Sequence, residues 1–322
     1  LPINRYIVIE QQAFDVETFA AFAANALTHP IDDVSEDISM EHGFVYTETS
    51  SKRLKRNRLL GPITNGGEIG VPVYTKGFPT LLYYALGAVE TTVPSAGLYK
   101  HIFRSANSIP AFRMGVGKDI NQHNFVGCAV RSLKIDYTVA EASLATFDLF
   151  VRKELAPASL ISPTYPDYDV LERTFLGVEV VAKINDTIVG YVRKFSLEIN
   201  NTIVDDNHGF GNRYVPKLII QGLEISGNLS VAFDDIARYN DVKNEVEPKL
   251  ELIFSHGTPA TVGYREVSIL LPKLSLDMGK MPTDGNKEYV IDMDFTAEVE
   301  PGDPDAIEIT VYNEETNVVL TT

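Results

Sequence analysis

From about residue 98 onward, apolar and polar residues alternate with a period of two, and the pattern holds through most of the remaining chain. Leu133, Ile135, Tyr137 and Val139 fall on one side of an extended segment, with Ser132, Lys134, Asp136 and Thr138 on the other. The same alternation recurs at Phe147, Leu149 and Val151, at Phe195, Leu197 and Ile199, and at Leu229, Val231 and Phe233. It returns at Val267, Ile269 and Leu271 and at Ile291, Met293, Phe295, Ala297 and Val299. Each run predicts a strand with one packed and one wet face, which is the signature of antiparallel sheets. The predicted class is therefore mainly β, built from antiparallel β-sandwich or barrel units.

Earlier residues read differently. Phe-Pro-Thr-Leu-Leu-Tyr-Tyr-Ala-Leu at 78–86 predicts a short helix, because Pro79 suits a first helical turn and Gly87 suits a stop. Residues 16–27 carry Ala and Phe at helical spacing behind Asp15 and Thr18, an imperfect capping box, and predict another helical segment. Tyr6, Ile7, Val8 and Ile9 predict a short strand.

A chain of 322 residues accommodates two β units of ordinary size. The run 126–135 echoes 189–199, with one residue of slip, and each is followed by an alternating strand ending in Phe and Asp (Phe147-Asp148, Phe233-Asp234). The echo is either a duplicated sheet or two strands of like composition. Pro157, Pro163 and Pro166 mark a linker. The expected division is 1–75 as an N-terminal segment with loops, 76–156 as a first β unit with the helix, 157–177 as linker and 178–322 as a second β unit.

Charge narrows the function. With 28 basic and 44 acidic residues the formal net charge is −16, which opposes adhesion to nucleic acid and to anionic membrane. No run approaches the roughly 18–20 apolar residues of a membrane span, and the opening residues lack the layout of a secretory signal, so a soluble chain is expected. The single cysteine, Cys128, sits in an apolar run and reads as a small buried hydrophobe.

Candidate chemistry is sparse. His29, His42, His101, His123, His208 and His256 are scattered without a nucleophile signature and read as loop or surface residues. Asn65-Gly66-Gly67-Glu68-Ile69-Gly70 lacks the Lys-Ser/Thr pair of a phosphate loop and reads as a turn. His208-Gly209-Phe210-Gly211-Asn212 reads as a long hairpin loop. The acidic stretch 32–37 lacks the spacing of a calcium loop and reads as solvated charge. Acidic pairs such as Asp292 with Asp294 and Glu298 with Glu300 fall on the wet side of a strand and read as a negative sheet surface. Lys52, Arg53, Lys55, Arg56 and Arg58 lack the interleaved aromatics of a single-strand binder and read as a contact to another protein surface. No catalytic, cofactor or metal residues are predicted.

Several stretches, taken in order, resemble the long-form tail tube proteins of phages. Gly67-Glu68-Ile69-Gly70-Val71-Pro72-Val73-Tyr74 followed by Gly77-Phe78-Pro79-Thr80-Leu81-Leu82-Tyr83-Tyr84-Ala85-Leu86-Gly87 is similar to that family's strand-then-helix signature. Tyr99 to Phe103, Asn107 to Met114, Phe125 to Tyr137, Phe195 to Asn201 and Leu223 to Asp235 resemble its later strands. The likeness spans roughly residues 50 to 310 and departs from the pattern in the N-terminal segment and at 202–217.

The resemblance implies a structural, non-enzymatic virion protein, assembled in the host cytoplasm, whose sheets join those of neighbouring copies around a channel. It implies stacked rings, three-membered and pseudo-sixfold for duplicated chains or six-membered for short ones. It also implies contact with other tail proteins, such as the tape measure and the tail tip, and passage of viral DNA without sequence-specific binding, with no cofactor and no membrane. On that reading Lys52, Arg53, Lys55, Arg56 and Arg58 are candidate inter-subunit contacts, and Asp136, Asp148 and Glu198 are candidate lumen-facing residues. A surface β-sandwich adhesin, another virion structural protein or a β-rich carbohydrate-active enzyme is the alternative; the last would be expected to carry Trp, of which there is none.

Overall fold

The computed structural model describes residues 5–18, 21–22, 27–30, 35–47, 57–139, 141–161, 174–189, 192–232, 246–259, 261, 263–278, 290–299, 305–316 and 318. Four strands precede the helix: β1 (Arg5–Gln11), β2 (Leu27–Pro30), β3 (Ser35–Thr47) and β4 (Asn57–Pro72). After α1 (Phe78–Leu86) come β5 (Gly87–Ser95), β6 (Leu98–Ser105), β7 (Phe112–Lys118), β8 (Asn121–Thr138) and β9 (Leu144–Ala158). The rest of the chain forms β10 (Val180–Ile184), β11 (Thr187–Val189), β12 (Val192–Ile203), β13 (Ile220–Ala232), β14 (Leu250–His256) and β15 (Arg265–Leu271), then β16 (Lys273–Met278), β17 (Val290–Glu298) and β18 (Glu308–Asn313).

Antiparallel pairing gathers these strands into two sheets. The larger contains the run β3-β4-β9-β8-β12-β13-β17-β16. β7, β1 and β2 extend from the first half of β8. The smaller runs β11-β10-β14-β15-β18-β6-β5. Both sheets take strands from either side of the expected linker, most of which, 162–173, lies outside the described residues. The two segments that echo each other in sequence fall largely in β8 and β12, which are direct neighbours, with Leu133 opposite Ile199 and Ile135 opposite Leu197.

The core forms between the sheets because each contributes one apolar face. Leu133, Ile135, Phe147, Leu149, Leu197 and Phe195 of the larger sheet are buried with Leu252, Phe254, Val267, Ile269 and Ile309 of the smaller. Tyr137 stacks on Phe254 at 4.0 Å between ring centroids, joining one sheet to the other. Such ring pairs add about 0.5–1.5 kcal/mol beyond the area they bury. α1 packs against β5, β6 and β8. Its stop is as predicted: Gly87 is left-handed at φ 92°, and its N–H donates to the Tyr83 carbonyl. Asn201 then fastens the helix to the sheet, its side-chain amide donating to the carbonyls of Ala85 (2.8 Å) and Val130 (3.2 Å).

Three expectations are corrected. The described residues of 16–27 form no helix, and Leu27 begins β2. Tertiary anchors take the segment instead: Glu17 pairs with Arg152 (3.0 Å) and Lys153 (2.7 Å), and Phe22 lies under the Arg113 guanidinium. The glycine run at 65–70 is the middle of β4, held between β3 and β9, rather than a turn. A Cβ at Gly67 would overlap the Asp37 carbonyl oxygen, so the glycines there permit close approach of three backbones. Of the acidic stretch, Glu36 and Asp37 belong to β3 rather than to a loop.

Candidate functional site

With one face of the larger sheet committed to the core, its other face is polar along the second half of β8, around Asp148 of β9 and along β12, β13, β17 and β16, while Phe14 stacks on Phe150 over the far end of β9. Lys134 and Asp136 of β8, Asp148 of β9, Ser196 and Glu198 of β12 and Asp294 of β17 alternate with buried neighbours, and Asn228 of β13 and Asp277 of β16 stand on the same face. The three acids singled out in sequence, Asp136, Asp148 and Glu198, are therefore brought to one face by register: Asp136 opposite Ser196, Lys134 opposite Glu198 and Ser132 opposite Asp148. A groove on this face is lined by Ser196, Glu198, Asn228, Ser275, Asp277 and Asp294.

Cross-strand rows make the face more acidic than any single strand reveals. Asp37, Glu68 and Asp148 stand side by side on β3, β4 and β9. Asp294 and Asp277 stand side by side on β17 and β16. Like charges directly opposite one another destabilise a sheet, so these rows cost stability and only partial relief is supplied. Arg131 reaches Asp148 (3.4 Å) and Asp205 (3.7 Å), Lys134 reaches Asp136 (3.1 Å), and the Asn228 amide donates to Asp294 (2.8 Å). Burial pushes the Asp148 carboxyl above its ordinary range, Arg131 pulls it back and the neighbouring Glu68 carboxylate pushes it up again. Sequence reasoning missed Asp37, Glu68 and Asp277 as members of this face, because their strands were read as loop, turn or not at all.

Elsewhere, titratable groups serve the fold. His101, which reads from sequence as a loop or surface residue, is fully buried in β6. Its Nε2 faces the Asn313 Oδ1 (2.9 Å) and the Glu315 carbonyl (3.0 Å), both acceptors, which puts the proton on Nε2 and leaves Nδ1 to accept from the Thr91 hydroxyl (2.8 Å). Burial lowers its pKa despite those bonds and holds the ring neutral. Cys128 is buried, and burial raises its thiol pKa far above the usual range. Glu10 and Arg113 form a buried pair, with Arg113 Nε donating to Glu10 Oε2 at 2.8 Å. A cavity of about 320 Å³ between β10–β11 and the β8–β12 junction is lined by Tyr137, Val180, Ala182, Phe195, Leu252 and Phe254.

Among the described residues, no group of three or more His, Cys, Asp or Glu side chains is placed to hold a metal ion. No described helix is long and apolar enough to cross a membrane. Of the basic cluster, Lys52, Arg53, Lys55 and Arg56 lie outside the described residues, and the backbone of Arg58 sits in β4 opposite Tyr46. A family model described as phage tail tube protein matches residues 49–311, most of the chain. No curated protein matches the chain.

Proposed function

The chain belongs to the phage tail tube protein family, and from that premise we propose that the polar face of its larger sheet lines the channel through which viral DNA passes. Membership makes the chain a structural subunit of the virion tail, which assembles with copies of itself into a tube and meets other tail proteins. The finer reading is of rings of three chains, pseudo-sixfold, stacked along the tube, with the tape measure and tail tip as further partners and no catalytic role.

The observation that carries the reading is the segregation of charge on the larger sheet. Its apolar face is spent on the core, so the polar face, with Asp37, Glu68, Asp148, Asp277 and Asp294 in cross-strand rows, is free to meet solvent or DNA. Carboxylates repel phosphates over about a Debye length, ~8 Å at physiological salt. Such a wall guides DNA without gripping it, and a channel function gives a reason to tolerate like charges that weaken the sheet. Asp136, Asp148 and Glu198 belong to that lining, diluted by Arg131 and Lys134. Lys52, Arg53, Lys55, Arg56 and Arg58 fall where β3 gives way to β4 along the chain, and we assign them to contact with an acidic surface of a neighbouring subunit.

Light scattering after size exclusion, with negative-stain microscopy of the same fractions, tests the assembly. Rings or hollow tubes are expected. A strictly monomeric species at high concentration across a range of salt contradicts the reading.

A further inference from the structure

The cavity of about 320 Å³ between β10–β11 and the β8–β12 junction has no part in the channel reading. It lies on the core side of the larger sheet, because its aromatic wall, Tyr137, Phe195 and Phe254, belongs to the apolar faces that the two sheets turn toward each other. The chain leaves the smaller sheet at β11 and enters the larger at β12 here. Space remains because Ala182, a buried position of β10 opposite Leu252 and Val189, carries only a methyl group. The volume falls within the range of roughly 300–1,000 Å³ typical of sites that hold small molecules.

Three features of the walls point to the chemistry of an occupant. Tyr137 holds a buried hydroxyl that has no hydrogen-bond partner among the described residues. Burial pushes its pKa up, so the proton stays and the hydroxyl is a donor in want of an acceptor. Next, β12 carries a bulge at the cavity: between Val192 and Lys194 it advances two residues while β13 advances one, from Val231 to Ser230. Arg193 is the extra residue, and bulges of this kind re-aim side chains beside functional sites. Lastly, the charged residues among the described lining are Arg193 and Lys194, both exposed and both basic, in a chain with 44 acidic residues against 28 basic.

We propose that this cavity binds a small hydrophobic carboxylate, its apolar body against Val180, Ala182, Val189 and the three rings, its carboxylate accepting from the Tyr137 hydroxyl and the Arg193 guanidinium. An acceptor group supplies what the hydroxyl lacks, and a negative one suits the basic lining. A carboxylate fits better than a phosphate, because a single charge costs less to bring among apolar walls. The apolar body also covers part of Val178 and Ile188, which line the same cavity and are exposed without it.

Isothermal titration with decanoate, below its micelle concentration, tests the site, with decanol as the uncharged control. One saturable site per chain is expected, with decanol weaker by roughly tenfold or more, the worth of a hydrogen bond to a charged group. Ala182→Leu fills the space and is expected to abolish binding. Arg193→Gln, at an exposed position, is expected to weaken decanoate by roughly the same tenfold and to leave decanol unchanged, and it decides the matter if Ala182→Leu does not fold. Absence of saturable binding, equal affinity for decanol, a folded Ala182→Leu that still binds, or an Arg193→Gln that binds as the wild type does overturns the proposal. So does decanoate binding that vanishes in assembled protein, because that result gives the cavity to a neighbouring copy. None of these outcomes bears on the tube reading, which the scattering experiment decides.

Discussion

Asp148 is the residue at which the charge of the polar face meets the packing beneath it. Its carboxyl is raised by burial and by Glu68, with Arg131 opposing, so the folded state holds its proton more tightly than the unfolded chain does. The contribution to stability is thus fully present below the unfolded pKa of about 4 and is lost as pH rises through the folded value. Replacing Asp148 with Asn removes that slope. The melting temperature of the variant, followed from pH 4 upward, is expected to fall less than that of the wild type over the first units. Glu10 lies deeper, a carboxylate buried against Arg113. Glu10→Ala takes the carboxylate from the buried Arg113 charge, leaving it the Ala21 carbonyl and the Phe22 ring, and is expected to cost about 3–5 kcal/mol, read from urea midpoints. Asp148 was legible from alternation in sequence. The Glu10–Arg113 pair was not, because nothing local tells Glu10 that its partner lies on β7.

Among the elements, α1 was legible to the residue, since Pro79 and Gly87 act through their own backbone and need no tertiary partner. The strands after residue 98 were legible for the same kind of reason, as side-chain alternation records which face is buried. β4 was not. Gly66, Gly67 and Gly70 have no side chains to alternate, and their role, letting β3 and β9 approach, shows only once those strands are in place. Gly67→Ala is expected to push the β3 backbone at Asp37 away and to destabilise the sheet by about 1–3 kcal/mol. Hydrogen exchange should show protection lost along β3 and β4 before β12 and β13. Equal loss across all four strands would contradict a local steric cause.

For the whole molecule, strand identity was readable and strand order was not. Period-two alternation reports the face a residue takes, never the neighbour it pairs with, so the joining of β6 to β18 and of β8 to β12 had no local signal. The acidic surplus was visible in composition, yet its arrangement in rows depends on that order: Asp37 and Glu68 meet across the consecutive strands β3 and β4, and Asp148 joins them from β9, far along the chain. On the proposed function this row-bearing face is the channel wall. A cryo-electron microscopy reconstruction of the assembled tube measures it directly. The expected result is a lumen lined by the larger sheet, net negative, with Asp136, Asp148 and Glu198 pointing inward; a net positive lumen, or those three acids on the outer wall, overturns the channel reading.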